Sequence, residues 1–242
     1  MAHFYLLETL ESTTVGSTIV LDGAEGRHAA TVSRVRAGER FSLGNGRGLV
    51  VAAEVLSTSK DTVELRVDSV EEMKPETPQI YLVQALAKTD RDERAVEAAT
   101  ELGIDVVIPW AADRSISKWE GPKIDKGRSR WSAIVREATK QSIRAFLPRV
   151  GPHLKTAQLI SELEDAHIIV LDPTGTVPLS QVELDERDIA LVVGPEGGIT
   201  EAELARFSEA GASTVTLGSN ILRTSTAGPA ALAIINAKLG RC

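Results

Sequence analysis

Short apolar segments alternate with helical segments through the last two thirds of this 242-residue chain, and this alternation constrains the fold more than any other feature of the sequence. Hydrophobic periodicity predicts strands over 80–86, 106–108, 168–171, 189–193 and 214–217. It predicts helices over 92–102, 130–146, 156–165, 201–210 and 226–239. Short loops join each strand to the next helix, which is typical of an α/β domain with a mostly parallel sheet.

The first 70 residues have the shorter period of strands. Segments 41–43 and 49–56 flank Asn45-Gly46, a pair that tolerates the positive φ angles of a tight hairpin turn. Residues 62–70 alternate apolar and charged side chains, as a half-buried strand does. A short helix is predicted over 26–36. Short strands joined by tight turns indicate a small barrel.

Residues 71–78 are rich in proline and charge, with two prolines and four charged side chains, and are typical of a linker. We therefore predict a barrel domain over 1–72, a linker over 73–78 and an α/β domain over 79–242.

Composition excludes several classes of protein. Hydrophobic residues make up 43% of the chain and charged residues 25%, as in globular proteins. There is no apolar run of about 18 residues and no signal-peptide pattern at the start, so the sequence predicts no membrane span and no secretion. The single cysteine, Cys242, cannot form an intrachain disulfide, and the four histidines lack metal-ligand spacing. We expect a cytoplasmic protein without a bound metal.

The charge is distributed unevenly along the chain. The net charge is −7, yet residues 114–155 hold 11 basic and 3 acidic side chains. A cationic window in an acidic chain attracts polyanions locally, because salt screens charges beyond about 8–10 Å. The alternative is an ordinary solvated basic surface.

One unusual loop, Gly194-Pro195-Glu196-Gly197-Gly198, follows the predicted strand 189–193 directly. Ligands bind at the carboxyl ends of strands in such sheets, and glycines allow the backbone to approach them closely. Thr200 and Glu203 form a capping box at the start of the next helix, whose free N–H groups favour an anionic or carboxylate-bearing ligand. No Gly-Lys-Ser/Thr follows, so this is not a phosphate loop. The alternative is a tight turn without function.

A second unusual loop, 217–227, also lies between a predicted strand and a helix. Ile221 and Leu222 form an apolar pair where a loop is normally polar. Beside the glycine loop, this pair is suited to clasp a flat aromatic group such as adenine. The alternative is that both side chains fill the core.

In residues and in order, these loops resemble the cofactor-binding loops of the bacterial 16S ribosomal RNA uridine-N3 methyltransferases. These enzymes belong to the SPOUT class, which uses S-adenosylmethionine. Upstream segments are similar to other motifs of the family, and the likeness covers nearly the whole chain. The matching segments are RH at 27–28, VRAGE at 35–39, KTDR at 88–91, ATELG at 99–103, DRS at 113–115 and REA at 136–138.

The resemblance implies an N-terminal PUA-like barrel and a SPOUT α/β domain with a C-terminal trefoil knot. It also implies a homodimer with the active site near the subunit interface. The implied reaction is S-adenosylmethionine-dependent methylation of N3 of a uridine in the decoding region of 16S ribosomal RNA, with the small ribosomal subunit as partner. The implied cofactor-binding residues are Leu171, Gly194, Pro195, Glu196, Gly197, Leu217, Gly218, Ile221, Leu222 and Arg223. Asn220, Ser225 and the start at Ala2-His3 depart from the family's pattern.

Methylation of uracil N3 requires loss of its proton, assisted by a general base or by a cation that stabilises the ring anion. Arg144 is the predicted cation and Glu137 the predicted base. They lie seven residues apart on the predicted helix 130–146 and would share one face. For both, the alternative is an ordinary surface charge. Glu196 and Arg223 are further candidates, with helix stabilisation or phosphate binding as their alternative roles.

Basic residues in two regions are predicted to bind RNA: Arg27, Arg34, Arg36, Arg114, Lys118, Lys123, Lys126, Arg128 and Arg130. Two other functions remain open. One is a non-catalytic RNA-binding assembly factor, and the other is methylation of another RNA atom such as a ribose 2′-hydroxyl.

Overall fold

The computed structural model describes residues 4–241, so the predictions for Ala2, His3 and Cys242 lie outside the described part of the chain. The chain divides into two compact units. The first contains the residues up to Pro75 together with 139–147, and the second contains the others. No sequence pattern indicated that 139–147 belongs with the N-terminal unit.

The first unit is built on one five-stranded sheet. Its strands are β1 (Phe4–Leu6), β2 (Thr18–Leu21), β3 (Arg40–Gly44), β4 (Leu49–Thr58) and β5 (Val63–Glu72), in the spatial order β1-β3-β4-β5-β2. β1 pairs with β3 in parallel, and the other pairs are antiparallel. A short helix, α1 (Gly23–Arg27), continues into a π-helical turn over His28–Val32.

The hairpin predicted around Asn45-Gly46 is confirmed as β3–β4. The buried Asn45 side chain accepts hydrogen bonds from the backbone N–H groups of Arg47 and Leu49, which fixes the turn. Alternate residues of β4 and β5 face a common apolar core, and two irregularities in their pairing curl the sheet around it. The barrel indicated by the sequence is therefore a curled sheet with β1 and β2 as its edge strands.

Segment 139–147 is held in the first unit by backbone hydrogen bonds and by an ion pair. The N–H of Leu147 donates to the carbonyl of Gly46 at 2.9 Å, and the N–H of Gly48 donates to the carbonyl of Ala145 at 3.1 Å. Lys140 and Glu25 form an ion pair at 3.1 Å, with both side chains largely buried. This burial strengthens the attraction, because water screens buried charges poorly.

The second unit is an α/β domain with an eight-stranded parallel sheet. Its strands are β6 (Ile80–Ala85), β7 (Val106–Ala111), β8 (Arg149–Val150), β9 (Leu154–Lys155), β10 (His167–Leu171), β11 (Val177–Pro178), β12 (Ile189–Val193) and β13 (Ser213–Thr216). The spatial order is β11-β13-β10-β12-β6-β7-β8, and β9 also pairs with β7. The helices are α2 (Arg91–Glu101), α3 (Pro122–Gln141), α4 (Thr156–Glu162), α5 (Glu201–Glu209) and α6 (Thr224–Leu239).

The central strands β10, β12 and β6 are buried almost throughout, which explains their nearly continuous apolar sequences. The predicted alternation of strand and helix is confirmed. The trefoil knot stays a prediction. Within residues 4–241, no helix is long and apolar enough to cross a membrane.

Helix α3 differs from its prediction at both ends. It begins at Pro122, whose fixed φ suits the first turn of a helix, and it ends at Gln141. Ile143 follows in the left-handed region with φ 58°, and its side chain is 51% exposed. Arg144 therefore lies beyond the helix, and the prediction that it shares a helix face with Glu137 is wrong.

Candidate functional site

A cavity of about 620 Å³ lies in the second unit, at the carboxyl ends of the neighbouring strands β13, β10 and β12. Its walls come mainly from the loops that follow these strands, residues 172–176, 194–200 and 217–223. Parallel strands end at the same edge of a sheet, so loops that are distant in sequence meet there. Its volume is within the range of about 300–1,000 Å³ usual for small-molecule sites.

All but one of the residues predicted to bind the cofactor line this cavity: Leu171, Gly194, Pro195, Glu196, Leu217, Gly218, Ile221, Leu222 and Arg223. Gly197 does not line it, whereas its neighbour Gly198 does. A β-carbon on Gly197 would lie 3.2 Å from Cβ of Arg114, on the loop that follows β7. The absence of a side chain at Gly197 thus makes room for Arg114.

Gly218 has the geometry expected of a glycine at a ligand site. Its φ is +130°, a value that L side chains rarely adopt, and a β-carbon there would meet no protein atom within 4 Å. Its N–H donates to the hydroxyl of Thr216 at 3.2 Å. The backbone at Gly218 is therefore exposed to the cavity.

The glycine loop is tied to the start of α2 through Glu196. Its carboxylate accepts hydrogen bonds from the N–H of Lys88 at 3.1 Å and from the guanidinium of Arg91 at 2.9 Å. Partial burial alone would raise the pKa of Glu196, but hydrogen bonds from its own backbone, Lys88 and Arg91 hold that pKa below its ordinary value. The carboxylate therefore stays charged and fixes the loop.

A second carboxylate, Glu203, holds the far end of the same loop. The predicted capping box is confirmed, because Thr200 and Glu203 exchange hydrogen bonds between side chain and backbone. Glu203 is buried and also accepts from the N–H of Asp113 and from the hydroxyl of Thr156, both at 2.9 Å. These bonds join α5 to the end of β7 and the start of α4.

The apolar pair of the second loop is at the cavity and not in the core. Ile221 is 82% exposed and Leu222 is 37% exposed, and both line the cavity. This exposure excludes the alternative that they fill the core. Together with Leu217 and Pro195 they provide an apolar surface to a ligand.

Three further residues of the site were missed by the sequence analysis. Asp172 is a buried cavity residue directly after β10, and its carboxylate accepts from the N–H of Thr174 at 2.9 Å and its hydroxyl at 2.7 Å. Gln84 on β6 donates to the hydroxyl of Thr224, which lines the cavity. The sequence did offer two signals: Asp172 is an acidic residue directly after an apolar strand, and Gln84 is an amide residue within an apolar strand.

The predicted RNA-binding residues occupy both units. Arg27, Arg34 and Arg36 are exposed on the first unit, and Arg114, Lys118, Lys123 and Lys126 are exposed on the second. Arg128 is half-buried, and its guanidinium donates to the carbonyls of Gly151 and Val150. Arg130 forms an exposed ion pair with Glu93. Arg128 therefore supports the fold, which its sequence context did not indicate.

Neither predicted catalytic residue lines the cavity. Arg144 is half-buried in the first unit, and Glu137 is exposed on α3 in the second. The arginines that line the cavity are Arg91, which is paired with Glu196, and Arg223. Among residues 4–241, no group of three or more His, Cys, Asp and Glu side chains is arranged to hold a metal ion.

Comparison with known proteins identifies relatives for both units. A family model described as an RNA methyltransferase domain matches residues 74–236, and one described as an RNA methyltransferase PUA domain matches residues 21–68. Ribosomal RNA small subunit methyltransferase E of Mycobacterium bovis is 39% identical, with 100% of this chain and 94% of the relative covered. The Bacillus subtilis protein of the same name is 31% identical, with 98% and 96% covered.

Solved structures have the same fold. The crystal structure of ribosomal RNA small subunit methyltransferase E from Neisseria gonorrhoeae, bound to S-adenosyl methionine, superposes with a TM-score of 0.89 at 30% identity over 98% of both chains. A methyltransferase from Legionella pneumophila, in complex with the same cofactor, superposes with a TM-score of 0.88 at 28% identity, again over 98% of both chains.

Proposed function

The chain belongs to the family of ribosomal RNA small subunit methyltransferase E, and on that basis we propose that it transfers a methyl group from S-adenosylmethionine to N3 of a uridine in 16S ribosomal RNA. The observation that carries the proposal is the cavity at the ends of β13, β10 and β12. A non-catalytic RNA-binding protein has no need of a cavity with this volume and lining.

The cavity fits the cofactor by its chemistry. Ile221, Leu222 and Pro195 offer an apolar surface to the adenine ring. The exposed backbone at Gly218 lets the cofactor approach closely, and Asp172 offers a carboxylate to hydroxyl or ammonium groups. These residues and the predicted set, with Gly198 in place of Gly197, are our proposed cofactor site.

Bound S-adenosylmethionine supplies an electrophilic methyl group on its sulfonium, and the protein orients the target and handles its proton. In our proposal Arg144 stabilises the negative charge that develops on the uracil carbonyls, because a guanidinium stays charged at every working pH. Glu137 is the proposed base for the N3 proton. Neither side chain lines the cavity, so their proposed partner is the uridine and not the cofactor.

RNA binding is proposed for the exposed basic residues of both units. On the first unit these are Arg27, Arg34 and Arg36, and on the second they are Arg114, Lys118, Lys123, Lys126 and Arg130. Arg130 would exchange an exposed ion pair for a phosphate, and such pairs contribute little to stability. Arg128 is left out, because its guanidinium already donates to two backbone carbonyls.

We also propose that the protein acts in the cytoplasm as a homodimer on the small ribosomal subunit, as the family implies. Exposed apolar side chains on the second unit provide surface for such a contact: Leu102, Ile116 and Val177. Light scattering should give a molecular mass that is twice the 25.9 kDa of one chain. A monomer at micromolar concentration would exclude this assembly.

The experiment that tests the proposed function combines binding with transfer. Calorimetry should detect stoichiometric binding of S-adenosylmethionine to the purified chain. Radiolabelled methyl groups should then pass to 16S ribosomal RNA in small subunits that lack the modification. Cofactor binding without transfer to any RNA would contradict the proposal.

A further inference from the structure

Gln84 is a polar exception in a buried apolar strand. It lies in β6 between Val83 and Ala85, it is 0% exposed, and its neighbours across the sheet are Val193 and Pro109. Its side-chain oxygen, Oε1, has no hydrogen-bond partner among residues 4–241. An unpaired buried acceptor destabilises a fold, so stability alone does not explain a glutamine at this position.

The amide hydrogens of Gln84 are both used. Nε2 donates to Oγ1 of Thr224 at 2.8 Å and to the carbonyl of Ala85 at 3.0 Å. Thr224 has one hydroxyl hydrogen, which it donates to the carbonyl of Gly194 at 2.8 Å. Because that hydrogen is committed, Thr224 accepts from Gln84. The result is a directed chain of hydrogen bonds from Gln84 through Thr224 to Gly194.

This chain of hydrogen bonds joins the start of the glycine loop, residues 194–200, to the end of the apolar loop, residues 217–223. Gly194 is the first residue after β12 and opens the glycine loop, and Thr224 is the first residue of α6 and closes the apolar loop. Gly194 and Thr224 line the cavity, whereas Gln84 does not. Any effect of Gln84 on a ligand therefore passes through Thr224.

We propose that Gln84 is a positioning residue for cofactor binding, holding the two cavity loops at their binding distance through Thr224. This inference rests on the proposed function of the cavity as the S-adenosylmethionine site. Methionine at position 84 would fill similar space but would leave the Thr224 hydroxyl without its donor. The hydroxyl could then turn away from Gly194, and the loops would no longer be held together.

The test measures S-adenosylmethionine affinity of the full chain by calorimetry. We expect Gln84→Met and Thr224→Val to raise Kd by about fivefold, the effect of one buried hydrogen bond. Thr224→Ser keeps the hydroxyl and should remain within about twofold of the wild type. The double variant should bind no more weakly than Thr224→Val alone, because both changes break the same chain.

Unfolding in the absence of ligand separates positioning from stability. Gln84→Met removes the unpaired buried acceptor together with the two hydrogen bonds that Nε2 donates. These effects on stability oppose each other, so its unfolding midpoint should stay within about 4 °C of the wild type while its affinity falls. In methylation assays KM for S-adenosylmethionine should rise, with kcat at saturating cofactor little changed.

Each outcome bears on one of the two proposals. If the wild type binds no S-adenosylmethionine, the function proposed for the cavity fails and the positioning role fails with it. If the wild type binds but Gln84→Met and Thr224→Val keep its affinity, the positioning role alone is overturned. Additive losses in the double variant would also overturn it. Should Gln84→Met not fold, Gln84→Leu, which also lacks the amide donor to Thr224, takes its place, and wild-type affinity in that variant would overturn the positioning role.

Discussion

The guanidinium of Arg114 donates a hydrogen bond to the backbone carbonyl of Gly197 at 3.1 Å. This contact turns one side of the glycine loop toward the loop after β7, while Gly194, Pro195 and Gly198 face the cavity. Glycines that look equivalent in the sequence therefore have different roles. Gly197 is needed for packing, and Gly218 is our proposed point of close approach to the cofactor.

The first prediction compares these two glycines. Gly218→Val should abolish measurable S-adenosylmethionine binding, because the new side chain would stand at a cavity wall where the backbone is exposed. Gly197→Ala should bind within about twofold of the wild type, because its β-carbon meets Arg114 on an exposed loop that can shift slightly. Calorimetry measures both.

A third glycine controls for backbone strain. Gly211 also has a positive φ, +81°, and open space around its β-carbon, but it does not line the cavity. Gly211→Val should lower the unfolding midpoint and leave cofactor affinity unchanged. Loss of binding in Gly211→Val, or full binding in Gly218→Val, would count against the proposed site.

The second prediction concerns the exposed lysines of the basic window. Reversing Lys118, Lys123 and Lys126 to glutamate should weaken RNA binding and flatten its dependence on salt. Each phosphate contact contributes a log–log slope of about −0.7 to −0.9. Affinity for S-adenosylmethionine should not change. RNA affinity measured over a series of salt concentrations provides the slope.

The matched control changes the same amount of charge elsewhere. Reversing Lys60, Arg206 and Lys238, which are outside the proposed RNA-binding set, should leave the slope nearly unchanged. Arg128→Gln should lower the unfolding midpoint with little effect on the slope, since its guanidinium binds backbone carbonyls. Equal slopes for both triple variants would show that the lysines form an ordinary solvated surface.

The third prediction concerns catalysis by Arg144. Arg144→Ala should slow single-turnover methylation at saturating RNA and cofactor by at least about tenfold, near the low end of the cost of losing one stabilising donor. Raising the pH should partly restore the rate, because a uracil already deprotonated by solvent needs less stabilisation. The single-turnover rate of Arg223→Ala, a change at an arginine that lines the cavity, is measured under the same conditions for comparison.

Loss of a phosphate contact weakens binding without slowing the chemical step. If Arg144→Ala reacts at the normal rate once RNA is saturating, Arg144 is only a binding residue. Glu137 would then be the leading candidate, and Glu137→Gln should show the rate loss.

The fourth prediction concerns acid stability. Burial lowers the pKa of His167 at the start of β10, although the nearby Asp185 opposes this shift. The unfolded chain therefore binds a proton more readily than the folded one, and stability falls as the pH drops below the unfolded value of about 6.5. His167→Gln should show a smaller fall of the unfolding midpoint between about pH 7 and pH 5.

An identical fall of the midpoint in His167→Gln and the wild type would exclude His167 as a source of acid sensitivity.

Much of the fold could be predicted from periodicity and turn residues. The strand at 189–193, the hairpin at Asn45-Gly46 and the capping box at Thr200 each depend on neighbours a few residues away. The end of α3 could not, because nothing local requires Ile143 to adopt a left-handed conformation. The packing of 139–147 against the first unit is decided by distant contacts such as Lys140 with Glu25.

The candidate site divides in the same way. The two cavity loops could be predicted, because glycines and an apolar pair after strands are local patterns. Gln84 and Thr224 are 140 residues apart, and only the assembled sheet brings them together. The hydrogen bond from the Arg128 guanidinium to a backbone carbonyl could not be predicted from the sequence either. Nothing in the sequence distinguishes an arginine that binds carbonyls from any other basic residue.

Identification of the methylated nucleoside tests the central claim most directly. Small ribosomal subunits lacking the modification should be incubated with the purified chain and S-adenosylmethionine, and their 16S ribosomal RNA digested to nucleosides for mass spectrometry. We predict close to one 3-methyluridine per RNA molecule, with the methyl group on the base fragment. A methyl group on the ribose fragment, or no methylated nucleoside from a chain that binds the cofactor, would contradict the proposed function.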